Sequence, residues 1–112
     1  MKDDAFYVIK VIEEIDRIEK FTATGKEAFF SSDLIQYAVL RSLQNLGESI
    51  KHISDGAKAT FPEVAWKGII ALRNVLVHDY LDIDLEEIWN IVQLDVPELK
   101  GQMDMLRQKL TG

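Results

Sequence analysis

Arg73, Asn74, His78 and Tyr80 crowd into one short run, Arg73-Asn74-Val75-Leu76-Val77-His78-Asp79-Tyr80. Arginine offers a planar, permanently charged fork suited to phosphate. Histidine titrates near neutrality and can take or give a proton. Together they suffice for RNA cleavage without a metal. The ribose 2′-hydroxyl attacks the neighbouring phosphorus, a base removes its proton, an acid protonates the leaving oxygen, and a cation stabilises the charged phosphorane. DNA lacks that hydroxyl and would be inert. Other roles stay open at this point: His78 could cap helix carbonyls, and Arg73 could pair with Asp79 or Glu48.

Position on a helix constrains the chemistry. Each residue advances ~100°, so Asn74 and His78, four apart, share a face. Arg73 and Tyr80, seven apart, share one if the helix persists. Arg73 and His78, five apart, diverge by ~140°. Three arrangements would bring them together: a distorted helix end, converging long side chains, or a second subunit. A two-fold homodimer doubles the local Arg and His and is the arrangement expected.

The elements that must position this run are helical. Val8, Ile12, Ile15 and Ile18 predict a first helix over 3–22, with Phe6, Ile9 and Phe21 widening the stripe and Thr24-Gly25 stopping it. Residues 26–31 read as a connector whose Phe29 and Phe30 plug the end of the bundle. Ser32-Asp33 offers an N-cap, with Gln36 in the first turn, for a second helix reaching about Asp55, where Gly56 supplies the stop. Along it Val39, Leu43, Leu46, Ile50 and Ile53 follow a four-three-four-three seam, the pattern of a near-antiparallel neighbour. The opposite stripe reads Tyr37, Arg41, Gln44, Glu48 and Lys51. Glu48 is expected to pair with Arg41 in solvent, and Gly47 to permit close approach of another backbone.

Residues 57–65 read as a linker, with Pro62 holding Phe61 out of helix. A third helix starts near Trp66 and enters the motif run, with Trp66, Ile69, Ile70, Leu76 and Val77 as core. Asp84 with Glu87 caps a fourth helix bearing Leu85, Ile88, Trp89, Ile91 and Val92. Pro97 predicts a kink or break near Asp95 before a last segment carrying Leu99, Met103, Leu106 and Leu110, the methionines filling gaps. No strand alternation, hairpin signal or internal repeat is evident. The expected fold is all-α: one domain over 1–112, an up-and-down bundle of four main helices, the last split near Pro97.

Composition excludes several classes. The chain has 112 residues, enough for one core. With no cysteine, disulfides, thiol catalysis and Cys-based zinc sites are excluded. Two histidines, His52 and His78, are a poor metal-ligand set, so neither metal nor cofactor is expected. No apolar run approaches the ~20 residues of a membrane span, and Asp3-Asp4 stand where a secretory leader would be basic, so a cytoplasmic protein is expected. The net charge of −6 argues against bulk coating of nucleic acid. Its distribution is uneven: residues 1–40 carry −3, 81–112 carry −4, and 41–80 carry +1. The middle is therefore the surface most permissive to phosphate, while the acidic flanks would suit a basic partner.

The run Arg-x4-His-x-Tyr, here Arg73, His78 and Tyr80 with Asn74 after the arginine, resembles the signature of HepT-like toxins of the HEPN superfamily. The resemblance extends through Asp33-Leu34, Arg41, Gly47-Glu48, the connector Phe61-Pro62-Glu63-Val64-Ala65-Trp66, and Asp82-Ile83-Asp84-Leu85 with Trp89. Asp79 occupies a position that varies in the family. The resemblance implies a HEPN-type bundle, a homodimer with the motif at its interface, and a metal-independent endoribonuclease toxin. It implies Arg73 and His78 as catalytic, with Asn74 in support; Glu48, on the neighbouring helix, is a further candidate for a supporting role. It further implies an MntA-like nucleotidyltransferase antitoxin that transfers adenylyl groups from ATP to Tyr80. Each AMP would add charge and bulk beside Arg73 and His78 and repel RNA. The alternatives are a non-catalytic subunit that presents a substrate to the transferase, and a helical scaffold without chemistry.

Overall fold

The first helix begins where an aspartate can cap it. In the computed structural model, which describes residues 2–112, the Asp3 carboxylate accepts from the Phe6 N–H at 2.9 Å. Helix α1 then runs Asp4–Phe21 with Val8, Val11, Ile15 and Ile18 buried. Thr22 closes it, its amide and hydroxyl both donating to the Ile18 carbonyl. Gly25 follows at φ 99°, a left-handed conformation that glycine adopts at little cost.

Residues 26–31, expected as a connector, form a short helix, α2 (Lys26–Ser31). Burial decides this. Phe29 is fully enclosed, its ring 5.3 Å from Trp89 and 5.1 Å from Phe30. Phe29 is thus the expected plug.

Ser32 caps α3 (Asp33–His52), accepting from the Ile35 N–H at 3.2 Å. Gln36 does not close its own first turn. Its side-chain amide donates to the carbonyls of Phe29 and Phe30 at 3.0 and 3.2 Å, satisfying the end of α2. All five seam residues, Val39, Leu43, Leu46, Ile50 and Ile53, are buried. The helix ends at His52, short of the expected Asp55, because Ile53 turns extended to enter the core. Ser54 then caps α4 (Asp55–Ala59), and the expected stop Gly56 lies inside that helix. The linker reading holds only for the turns between α4 and α5.

Helix α5 (Trp66–His78) carries the motif run. A 3-10 turn, Tyr80–Asp82, follows. Asp84 caps α6 (Leu85–Asn90), accepting from the Glu86 and Glu87 amides at 3.0 and 3.5 Å. No loop interrupts the helix here, and the irregularity expected near Asp95 is a change of helix type. A π-helical turn, Ile91–Asp95, leads directly into α7 (Val96–Thr111). The wider turn accommodates Pro97, which lacks an N–H and whose ring collides with the preceding turn of a regular helix.

The architecture is the expected all-α bundle of four main helices, α1, α3, α5 and the continuous α6–α7, with no strand among the described residues. Helix α1 packs on α3 and α7, and α3 on α5. The seam between α5 and α6–α7 stays open as a groove of about 540 Å³. Glu63, Asp82, Asp84, Glu87, Asp95 and Glu98 contribute to its lining, with no Lys or Arg. Of the five α5 residues expected in the core, Leu76 is buried, Trp66, Ile69 and Ile70 pack against the core from its edge, and only Val77 stands outside it. Of the two late methionines Met103 fills the core, whereas Met105 faces solvent.

Candidate active site

Two contacts set the register of α3 against α5. At one end Gly47 faces Arg73: a Cβ on the glycine would lie 2.5 Å from the arginine Cβ and 3.5 Å from the Ile69 carbonyl oxygen. The missing side chain lets the backbones close, as its mid-helix position suggested. At the other end the Tyr37 and Tyr80 rings stack, centroids 6.0 Å apart and planes 9° from parallel. Low numbers on α3 meet high numbers on α5, so the pair is antiparallel.

Glu48, next to Gly47, reaches across this boundary. Its Oε2 lies 2.7 Å from Arg73 Nη2. The expected Arg41–Glu48 pair does not form. Gly47 brings Arg73 so close that Glu48 meets a less exposed partner, which holds a charge more firmly than a solvated one. Glu48 Oε1 faces His52 Nε2 at 3.4 Å, and the His52 ring stacks on Tyr7 at 5.0 Å. On its other side Arg73 Nη1 donates to Asn74 Oδ1 at 2.9 Å. Arg73 Nε is buried without an acceptor. An anion seated there would relieve an orphaned donor.

His78 is the last residue of α5, exposed, and free of hydrogen bonds and ion pairs among the described residues. The helix stays regular to that point, closed by the Asp79 N–H on the Val75 carbonyl at 2.8 Å. No distortion of the helix end brings Arg73 and His78 together, and no bond joins them among the described residues. Asn74 draws one Arg73 nitrogen toward the face that Asn74 and His78 share.

The helix does not persist to Tyr80, so the shared face predicted for Arg73 and Tyr80 is absent. The tyrosine stands two residues beyond α5, 40% exposed. Desolvation by burial and, after it, the neighbouring Tyr37 phenol push its pKa above the ordinary tyrosine value. Its phenol is protonated at neutral pH.

Three neighbours of the site carry weak local signals or none. His52 was legible at i+4 from Glu48, the spacing of helical neighbours. Tyr37 stood in the polar stripe with Glu48, but its stack on Tyr80 depends on the α3–α5 register. Tyr7 carried no local signal. Among the described residues no three His, Cys, Asp or Glu cluster to hold a metal. No helix is long and apolar enough to cross a membrane.

The chain is similar to known proteins over most of its length. The family model described as "Ribonuclease HepT-like" matches residues 11–106. "Probable ribonuclease HepT" of Thermococcus cleftensis is 35% identical over 103 residues, covering 91% of this chain and 94% of its own. A protein of Methanocaldococcus jannaschii whose name carries an inferred RNase activity is 32% identical over 106 residues, covering 94% of this chain and 97% of its own. Another protein of that organism, similarly named, is 35% identical over 112 residues, covering 99% and 93%. No solved structure matches the chain.

Proposed function

The chain belongs to the ribonuclease HepT-like family, and from that premise we propose that it is the endoribonuclease toxin of a toxin–antitoxin pair, cutting RNA without a metal through Arg73 and His78. Membership makes it a ribonuclease at family level. The observation that carries the finer reading is the contrast between the two motif residues. Arg73 is clamped by Glu48 and Asn74 yet keeps a buried Nε–H without an acceptor, while His78 is exposed and unengaged.

A mechanism follows from these groups. The 2′-oxygen forms a bond to phosphorus as the bond from phosphorus to the 5′-oxygen breaks. One imidazole takes the 2′-hydroxyl proton, and an imidazolium returns one to the departing 5′-oxygen. Arg73 offsets the charge that builds on the non-bridging oxygens. A single His78 cannot be base and acid in the same instant. A homodimer with the motif faces opposed supplies the second, and half-exposed Ile70 with exposed Val77 on that side of α5 are apolar surface for such an interface.

Neutralisation is assigned to an MntA-like nucleotidyltransferase antitoxin acting on Tyr80 in the cytoplasm. The phenol oxygen attacks the α-phosphorus of ATP and pyrophosphate leaves. Like any tyrosine phenol, that of Tyr80 holds its proton at neutral pH, so the transferase supplies the base that accepts it. The AMP then sets a negative phosphate two residues from His78 and repels substrate.

Intact mass after co-expression with an MntA-like nucleotidyltransferase tests this. Whole AMP increments present in the parent and absent from Tyr80→Phe are expected. An unmodified protein, or increments that persist in the variant, would reject the assignment.

One observation favours a second reading. Glu48 already neutralises Arg73 and the chain carries −6 overall, which fits a non-catalytic subunit presenting a substrate to the transferase. Failure of the unmodified protein to cut any RNA would select it.

A further inference from the structure

We propose that the groove between α5 and α6–α7 is a docking site for a helix of a second protein, apolar along one stripe and flanked by Lys and Arg. Helix α5 packs chiefly on α3, and its other flank borders this groove of about 540 Å³. The lining is largely apolar. Buried Leu46, Leu76, Ile88 and Leu99 contribute to it, together with half-buried Leu72 and exposed Val75. Ala65, Gly68 and Ala71 also line it, and such small residues let another backbone come close. The chain's own packing does not require Gly68. A Cβ there would find Ala65 Cβ as its nearest neighbour, at 3.8 Å, an ordinary contact. At Gly47, by contrast, the Arg73 Cβ would be 2.5 Å away. A glycine inside a helix weakens it relative to alanine. What position 68 gains in return is open space on the groove side.

Charge selects the occupant. Glu63, Asp82, Asp84, Glu87, Asp95 and Glu98 border the groove with no Lys or Arg, although the chain carries 13 of those cations. Acids paired within the chain, such as Glu14, Asp16, Glu19 and Glu86, lie outside it. Glu87 and Glu98 stand about 16 Å apart along α6–α7, so an occupant of three helical turns meets carboxylates at both ends. Its apolar stripe would face Leu72 and Val75, and its cations the rim. RNA would meet only like charge here. A second copy of this chain, seated about a two-fold axis, would set the acidic rim against itself. The homodimer proposed through Ile70 and Val77 leaves the groove free, because Val77 stands about 160° round α5 from Val75.

The test is fluorescence anisotropy of a labelled fourteen-residue peptide, Leu along one helical stripe and Lys elsewhere, titrated with the full chain. Saturable binding is expected, and the same peptide with Glu in place of Lys should not bind. Gly68→Leu, which fills the groove, should weaken binding at least tenfold while the circular dichroism spectrum and Tm stay parental. Glu87→Lys combined with Glu98→Lys should weaken it by about as much. Glu27→Lys combined with Asp55→Lys makes the same change of charge away from the groove and should alter binding less than about twofold. Equal losses in the two charge pairs, parental binding by Gly68→Leu, or equal binding of the Glu peptide would overturn the proposal. So would a parental dimer in sedimentation equilibrium that Gly68→Leu splits into monomers, since the occupant would then be a second copy.

Discussion

Glu48 holds Arg73 across the α3–α5 boundary, with Oε2 2.7 Å from Nη2, while its other oxygen faces His52 at 3.4 Å. The carboxylate thus orients the guanidinium and also offsets its charge. Replacing Glu48 with Gln separates these effects. The variant should bind RNA more tightly, because one negative charge has left the site, and turn over about tenfold more slowly, because the fork is less well aimed. KM and kcat falling together on a defined RNA is the expected signature. Unchanged kcat would mean that Glu48 plays no part in positioning Arg73.

Gly47→Ala should disturb the same arginine from the opposite direction. A methyl group 2.5 Å from the Arg73 Cβ forces α5 outward. Overpacking of this kind costs about 1–3 kcal/mol, more than the ~1 kcal/mol alanine gains in helix propensity. Tm should fall by a few degrees in thermal unfolding. Activity should fall further than the stability loss explains when assayed well below Tm. A variant as stable and active as the parent would show that the α3–α5 approach is slack.

His78→Ala should lower cleavage at least 100-fold. The side chain is exposed and unbonded among the described residues, so the far-UV circular dichroism spectrum should be unaltered. Cleavage by the parent should survive EDTA. Residual cutting by the alanine variant at parental rate would remove His78 from the mechanism, and loss of parental activity in EDTA would reveal a required metal.

Tyr80 offers a prediction in pH. Burial, and secondarily the Tyr37 phenol, raise its pKa above 10.0. Because the folded value exceeds the unfolded one, the associated stability is fully present below pH 10 and is lost as pH rises through the folded pKa. In ultraviolet titration of tyrosinate, Tyr37→Phe should move the Tyr80 midpoint downward but not to the ordinary value, since part of the desolvation remains. A midpoint that stays where it was would leave Tyr37 with no share in the shift.

Local patterns in the sequence determined the four main helices and named the motif. The seam from Val39 to Ile53, the caps at Asp3, Ser32 and Asp84, and the run Arg73 to Tyr80 are short-range features, encoded within a turn or two of the chain. Where a boundary moved, a buried side chain moved it: Phe29 drew residues 26–31 into a helix, and Ile53 ended α3 early. Only the tertiary structure decided which partner each motif residue meets. Glu48 has Arg41 two turns away on its own helix, yet it binds Arg73, because the absent side chain of Gly47 brings α5 within reach. Tyr80 meets Tyr37 because the same antiparallel register runs to the end of α5. The open seam beside α5 was equally hidden. An apolar residue such as Ile69 or Val75 shows which face avoids water, and the same residue types serve whether or not a helix of the same chain covers that face.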